Sequence, residues 1–506
     1  MKIYDTRLFS LSLLVGLFAG VFGSAFRWLL GKTALIREFM FQHDKSILFH
    51  IGILAGMWIL MLGINWLKNH IALISGSGIP QSKGIIFGRF SFRKPWLQFI
   101  GKFTGSVSAI GMGLSLGREG PSVEIGSLGA AIISRYFKTS PIERRYLSAA
   151  GAGAGLSAAF TAPIASAIFV IEDMLGWVSL RVGLPALLAC IVAGFCARMV
   201  FTENVYLEVP TVFPEVDHGT LFLILTGFAV LGALGGKLFN LTLFGVKKGY
   251  DTLRIPVWLK LLIVAGFTYI AGMLVIDLTS GGETELINQA LSENGNVWWL
   301  FAMTLIKIAF TAISYSTGLC GSLLLPLIVL GGLLGKGYAL LLIQLGITGA
   351  DTTGFFTIIG MSIFFISVVR APISGLMLTL EMTGQYHVFY PMIITGTLTF
   401  LFGQYIGVIP VYHHLYEQIL KEEKNQYDEW IETDFEINYN SAMIGKSIND
   451  ILLPDQSKII RIMRYTPQPV TLGQSDLLQR GDIIRLKIKE SDYEKLFRVF
   501  RSLTDE

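Results

Sequence analysis

Apolar residues run in blocks from residue 8 to about 408, with polar residues only punctuating them. Six blocks are long enough to cross a bilayer as helices, which takes about 20 residues: 8–30, 47–67, 181–200, 219–245, 256–276 and 388–408. Five others, around 78–88, 119–137, 162–174, 322–334 and 371–384, are short or interrupted by Gly and Pro. Broken helices at membrane depth are tolerated only where protein or a wet cavity surrounds them. The pattern therefore predicts an all-α polytopic membrane protein with a path through it. After Tyr412 the character changes. His413 to Glu423 reads as a polar helix, and from about Asp428 the period shortens to two. Strands are expected at 435–437, 458–463 and 482–489, a turn at Pro467-Gln468-Pro469, and helices over 446–452 and 491–500. The division is a membrane part, 1–424, and a small α+β part, 425–506. A unit of that size is marginal alone, and pairing across a dimer relieves this.

The membrane part repeats itself, over about 1–200 and 215–410. Ala162-Pro163-Ile164 precedes Glu172 by the interval that separates Ala371-Pro372-Ile373 from Glu381. Pro121 with Gly126 echoes Pro326 with Gly331, and Ser75-Gly76 echoes Ser280-Gly281. Matching interruptions in duplicated halves point to a binding site near the bilayer midplane. The repeat alone leaves open whether the halves are parallel or inverted.

Composition agrees with the pattern. Of 506 residues, 52% are hydrophobic and 15% charged, against roughly 25% charged in soluble domains. Glycines number 55, above the roughly 7% average, as where helices pack backbone to backbone. The net charge of +4 is small, and the basic residues sit in short loops, so no nucleic-acid partner is expected. Two such groups, Lys83, Arg89, Arg93, Lys94 and Arg135, Lys138, Arg144, Arg145, mark the cytoplasmic side. Cys190, Cys196 and Cys320 lack metal-ligand spacing and read as buried small hydrophobes. The first apolar block runs on through Trp28-Leu29-Leu30 without a clear cleavage site, so it reads as a membrane helix.

Three segments share one grammar, small residues and then a proline opening an apolar helix: Gly76-Ser77-Gly78-Ile79-Pro80, Gly117-Arg118-Glu119-Gly120-Pro121 and Gly321-Ser322-Leu323-Leu324-Leu325-Pro326. Each presents N–H groups at a helix start, where anions are attracted. Converged, they hold a desolvated anion without a fixed cation, which would bind too tightly for release. Glu119, expected just outside its helix, is a carboxylate at bilayer depth, and such groups mark ion or proton paths. Glu172 and Asp173 form a second acidic pair. In a medium of low dielectric the two cannot readily both ionise.

These motifs resemble those of the CLC family of chloride channels and proton-coupled chloride antiporters. The likeness spans roughly residues 10–420, and the segments 76–80 and 117–121 match two family signatures. It implies an inverted-repeat fold, a homodimer with a pore in each subunit, and a place in the plasma membrane. It also implies roles. Ser77 and Tyr412 give hydroxyls to a central chloride, joined by the backbone N–H groups of Leu323 and Leu324, with Gly120 beside it. Glu119 is the gate, and Asp173, with Glu172 next to it, is the inner acid that receives protons. The third signature departs, with Ser322 and Leu324 where the family has Gly and Phe. Chloride/proton antiport is the expected function. A passive chloride channel of the same fold is the alternative, and fluoride/proton antiport or potassium transport stand further off.

The tail from about 430 to 502 resembles TrkA-C (RCK-C) regulatory domains through Ile444-Gly445-Lys446-Ser447-Ile448 and Gly481-Asp482. That likeness implies dimerisation, a cytoplasmic position, and a small nucleotide such as cyclic di-AMP as ligand. Arg461 and Arg464 either offer guanidinium contacts to phosphate or form a solvated strand face. Other features read blandly. Gly445-Lys446-Ser447 lacks the first glycine of a phosphate loop, since Asn440 stands there. Gly151, Gly153 and Gly155 read as helix packing, His413-His414 as solvated, Glu381 as structural, and Glu283 and Glu285 carry no motif. No potassium filter and no His-Glu-x-x-His or Ser-His pair is present, so neither an enzyme, a cofactor nor a metal site is expected.

Overall fold

A computed structural model describes residues 6–42, 45–176, 180–201, 206–279, 296–424, 430–437, 441, 443–447, 457–465, 469–471, 473 and 476–489. The chain divides into two units, Met1–His414 and Leu415–Glu506. The helices, in order, are α1 (Thr6–Met40), α2 (Ile47–His70), α3 (Ile79–Ile86), α4 (Pro95–Gly111), α5 (Glu119–Tyr136), α6 (Pro141–Phe160), α7 (Pro163–Phe169), α8 (Leu180–Val200), α9 (His218–Thr252), α10 (Val257–Leu274), α11 (Val297–Ser316), α12 (Leu324–Gln344), α13 (Thr353–Val369), α14 (Pro372–Thr383), α15 (Phe389–Tyr405) and α16 (Val411–Lys424).

Among the described residues, eight helices are long and apolar enough to cross a bilayer. Five of the six expected spans are among them. The sixth, 388–408, forms the 17-residue α15, cut short by a 3-10 turn before it and Gly407 at φ +72° after it. The piece expected to be short around 322–334 instead continues as the 21-residue α12. Helices α4, α6, α11 and α13 were not singled out from the pattern. Lys102 and Lys307 interrupt the apolar runs of α4 and α11, and α6 is built largely of Ala, Gly and Ser.

Local chemistry fixes the ends. Ser46, Ser140, Asp217 and Asn296 each accept an N–H of the helix they open, which satisfies a donor that would otherwise be orphaned. Proline stands in the first turn of α3, α4, α6, α7 and α14, where its missing N–H costs nothing. Helix α13 is buried all round.

The repeat is visible in the backbone. Thr161 and Arg370, 209 residues apart, both take left-handed conformations (φ 55° and 68°) that end a helix just before Ala-Pro. A Cβ at Gly126 would lie 1.9 Å from the Gly151 carbonyl oxygen, and one at Gly331 would lie 2.3 Å from that of Gly360. Glycine is required at both crossings, as packing of backbone on backbone demands. The equivalent residues Gly117 and Ser322 bond to each other, N–H to carbonyl in both directions, at 2.7 and 2.8 Å. A position that pairs with its own counterpart lies on a two-fold axis. Helices α5 and α12 meet there through their N-terminal ends, and each then packs along its own neighbour, α5 on α6 and α12 on α13. The halves are thus inverted repeats. The Ser280-Gly281 echo, with Glu283 and Glu285, lies outside the described residues.

In the second unit, strands β1 (Trp430–Glu436), β2 (Ser457–Tyr465), β3 (Pro469–Thr471) and β4 (Ile483–Lys489) form an antiparallel sheet in the order β1-β4-β2-β3. The three expected strands are present. The expected helix at 491–500, the turn residues Pro467 and Gln468, and most of 446–452 lie outside the described residues.

Candidate functional site

The three glycine-rich segments converge. Gly78 (φ 97°) opens α3, Arg118 and Glu119 open α5, and Leu323 and Leu324 open α12. Ser77, Glu119, Ser322, Leu323, Leu324 and Tyr412 are all buried. The hydroxyls form a chain: Ser77 Oγ lies 3.2 Å from Ser322 Oγ, which lies 3.5 Å from Tyr412 Oη. Ser322 thus stands between the two hydroxyls expected to hold the anion. Sequence reading noted the residue only as a lost glycine. The signal was there in its position, one residue before two N–H groups of the same site.

Glu119 is the first residue of α5 rather than a residue outside it, because Arg118 takes the cap position. Its side chain folds back over Gly117. A Cβ at Gly117 would sit 2.2 Å from Glu119 Oε2, so only glycine admits the carboxylate there. That oxygen accepts the backbone N–H of Leu325 at 3.3 Å, at the N-terminus of α12. The charged end of Glu119 therefore occupies the kind of place an anion seeks, among N–H groups at a helix start. Gly120 is equally required. A Cβ there would meet the Ser77 carbonyl oxygen at 2.2 Å and Ser77 Oγ at 2.5 Å.

Behind Ser77 stands a fully buried ion pair. Lys102 Nζ lies 2.8 Å from Glu124 Oε2 and donates to the carbonyls of Ile74 and Gly76 at 3.0 and 2.8 Å. The ammonium pins the loop, and Glu124 compensates its charge. Neither partner was singled out from the sequence. A buried Lys on one helix and Glu on another carry no shared motif.

Glu172 and Asp173 lie in a π-helical turn, Val170–Leu175, that continues α7. π-turns break helix regularity and gather at functional sites. The two neighbouring acids have different hydrogen-bond surroundings. Glu172 accepts the N–H groups of Ile373 and Ser374 and the Ser374 hydroxyl, at 3.0, 2.6 and 2.6 Å, capping α14. Glu381 returns the favour to α7, accepting from Ile164 and Ala165 at 3.2 and 2.7 Å. Each half caps a helix of the other, as two-fold symmetry requires. Asp173 has no such duty. Its Oδ2 is buried without a hydrogen-bond partner among the described residues, and its carbonyl accepts from the Lys83 ammonium. Lys83 belongs to α3 rather than to a basic loop.

In the second unit Arg464 is engaged. It donates through Nε and Nη2 to the two carboxylate oxygens of buried Asp482, both at 2.8 Å, and to the Leu477 carbonyl. Arg461 is exposed on β2. The pair expected to face a ligand together is divided between a structural clamp and solvent. Among the described residues no group of His, Cys, Asp and Glu could hold a metal ion.

Fold and site define an inverted-repeat ion-transport protein of the membrane. The chain belongs to the voltage gated chloride channel family, whose model matches residues 59–404, and it carries a TrkA-C domain over residues 433–501. It is 32% identical over 432 residues to the H(+)/Cl(-) exchange transporter ClcA of Vibrio cholerae serotype O1 (strain M66-2), covering 82% of this chain and 90% of that protein. A ClcA of Vibrio campbellii is 30% identical over 428 residues, covering 81% and 89%. Among solved structures, a slow cyanobacterial Cl-/H+ antiporter superposes with a TM-score of 0.76 at 26% identity, covering 83% of this chain and 99% of that one. A CLC-type fluoride/proton antiporter shares the fold, with a TM-score of 0.66 at 21% identity over 78% and 95%.

Proposed function

We propose that this protein exchanges chloride for protons, with Glu119 as the gate and Asp173 as the inner proton-accepting acid. The observation that carries the reading is the seat of the Glu119 carboxylate at the N-terminus of α12. An ionised carboxylate and a chloride compete for the same N–H groups. Protonation removes the charge that holds the side chain there, the side chain leaves, and an anion takes its place. Anion entry is then linked to proton uptake at one residue. Ser77, Ser322 and Tyr412 line the adjoining position with hydroxyls that donate to an anion, and the N–H groups of Leu323 and Leu324 complete it. Asp173, half-buried and with a buried oxygen open to a proton, receives protons from the side on which Lys83 and the basic residues lie. The exchange names of the ClcA relatives and of the cyanobacterial structure support the same reading. It needs no cofactor and makes no covalent bond in its substrates.

In this reading the protein is a homodimer of the plasma membrane with the TrkA-C domain in the cytoplasm. That domain takes a small nucleotide such as cyclic di-AMP, with Arg461 as the available guanidinium.

The test is proton movement into liposomes driven by a chloride gradient under a clamped potential. The intact protein moves protons uphill, and Glu119→Gln abolishes this while chloride still passes. Asp173→Asn likewise ends proton flux and spares chloride. Chloride flux without uphill protons in the intact protein would make it a passive channel of the same fold and overturn the assignment of Asp173.

A further inference from the structure

On the outer surface of the bundle, α9, α10 and α11 enclose a groove of about 420 Å³. All three helices are long and apolar enough to cross a bilayer, so the groove faces lipid rather than water. Its wall is apolar, and Leu253, Ile263 and Phe267 are exposed along it. Among its lining residues only Tyr250 and Lys260 have polar side chains. A Cβ at Gly249, which also lines it, would meet nothing within 4 Å. Packing therefore does not account for this glycine inside a helix, where glycine is normally disfavoured. Its missing side chain leaves room in the groove.

The groove has a polar mouth and an apolar depth. Lys260 lies near the start of α10 and Tyr250 near the end of α9, and from there the wall runs inward past Ile263 to Phe267. At the helical rise that run is about 10 Å, against about 15 Å of hydrocarbon in one leaflet. Lys260 Nζ donates to the Tyr250 carbonyl at 2.6 Å and lies 4.8 Å from the centroid of the Tyr250 ring. These contacts hold the ammonium at the mouth without cancelling its charge. Among the described residues no carboxylate pairs with it, and nearby Asp251 faces Lys247 at 3.6 Å. Lys248 and Arg254 are exposed at the same end of α9. Phe244 there packs against His414 of α16, ring centroids 4.6 Å apart, so the mouth lies at the end of the bundle from which the tail leaves. Basic residues gather on the cytoplasmic side of a membrane, and the leaflet there carries anionic lipid.

We propose that this groove binds an anionic phospholipid of the bilayer, with one acyl chain along the apolar wall and the phosphate at Lys260. Each half of that ligand answers one half of the site. A soluble anion would leave the apolar wall bare. A neutral lipid, or an apolar helix of a second copy of the chain, would cover the wall and leave an ammonium facing hydrocarbon, which is costly. A zwitterionic phospholipid brings its own cation to the mouth and gains less there. Only an amphipathic anion covers Leu253, Ile263 and Phe267 and also meets the charge at Lys260.

The experiment uses the full-length protein in lipid nanodiscs and reads binding, which leaves it independent of the transport reading. Phosphatidylglycerol with a photoreactive acyl chain is the probe, and phosphatidylcholine with the same chain is the control. Adducts are mapped by peptide mass spectrometry. The phosphatidylglycerol probe should label residues 246–267 more strongly than the control. Lys260→Gln should lower its labelling about fivefold, the worth of one basic residue near an anionic surface, and leave the control unchanged. Lys260→Arg should retain the preference. Gly249→Leu fills the groove and should lower labelling by both probes. Gly245→Leu should change neither, since that position is equally open but lies off the groove. Equal labelling by the two probes overturns the proposal, as does labelling that ignores Lys260→Gln and Gly249→Leu in folded protein. A disulfide-linked dimer of the Gly249→Cys protein would also overturn it, by showing that a second copy covers the groove.

Discussion

Ser322 is the residue at which this chain departs most usefully from its family's third signature. Its hydroxyl bridges Ser77 and Tyr412 and, in the proposed anion site, adds a donor to two hydroxyls and backbone N–H groups. Ser322→Ala removes that donor and should lower chloride affinity by about tenfold to a hundredfold, the worth of one hydrogen bond to a charged group. Isothermal titration with chloride reads this directly, and unchanged affinity would show the hydroxyl turned away from the anion. The Lys102–Glu124 pair makes a different kind of prediction. Glu124→Gln strands a buried ammonium and should cost about 3–5 kcal/mol, whereas replacing both partners by methionine should cost far less. Thermal unfolding in detergent separates the two. Glu119 and Ser77 were legible in the sequence because each stands in a motif with a physical reason, whereas Tyr412 came only from the family resemblance. Ser322 and Glu124 were not, since only the folded chain brings their side chains to the same place.

At the scale of elements, broken helices were readable because Gly and Pro interrupt the apolar runs where α3, α5, α7 and α14 begin. What periodicity could not reveal was the direction in which two adjacent acids point. Glu172 and Asp173 look like one feature in the sequence, yet the π-turn sends one to cap α14 and leaves the other with a buried oxygen that has no hydrogen bond among the described residues. The consequence is testable. Glu172→Ala should lower stability by about 1–2 kcal/mol, as loss of a helix cap does, while uphill proton flux continues. Glu381→Ala should behave alike through α7. If Glu172→Ala instead abolishes proton coupling in folded protein, capping is not its main duty.

For the whole molecule, the offset of about 205–209 residues between motifs announced a duplication, and the symmetry axis explains it. The axis passes between Gly117 and Ser322, beside the anion site. Inversion itself lay beyond the repeat pattern, because identical spacings serve parallel and inverted halves equally. The tail was legible as strands through alternation. The engagement of Arg464 with Asp482 was hidden by the 18 positions that separate them in the chain. Arg464→Ala should leave Asp482 buried and unpaired, and hydrogen exchange in the tail of the intact chain should rise by about tenfold or more. Arg461→Ala should leave exchange unchanged and lower any nucleotide affinity.

The reciprocal caps also set a timetable. Glu172 and its partner N–H groups at Ile373 and Ser374 are about 200 residues apart. At synthesis rates of about 5–20 residues per second, the first half waits roughly 10–40 s for the donors its carboxylate needs. During that interval its two acids lie in the bilayer without their final surroundings, and α7 has no cap. The first half is therefore not a finished object that the second merely joins. It is held in suspense until the second half arrives, and a chain interrupted between the halves should be cleared by quality control unless the missing half is supplied beside it.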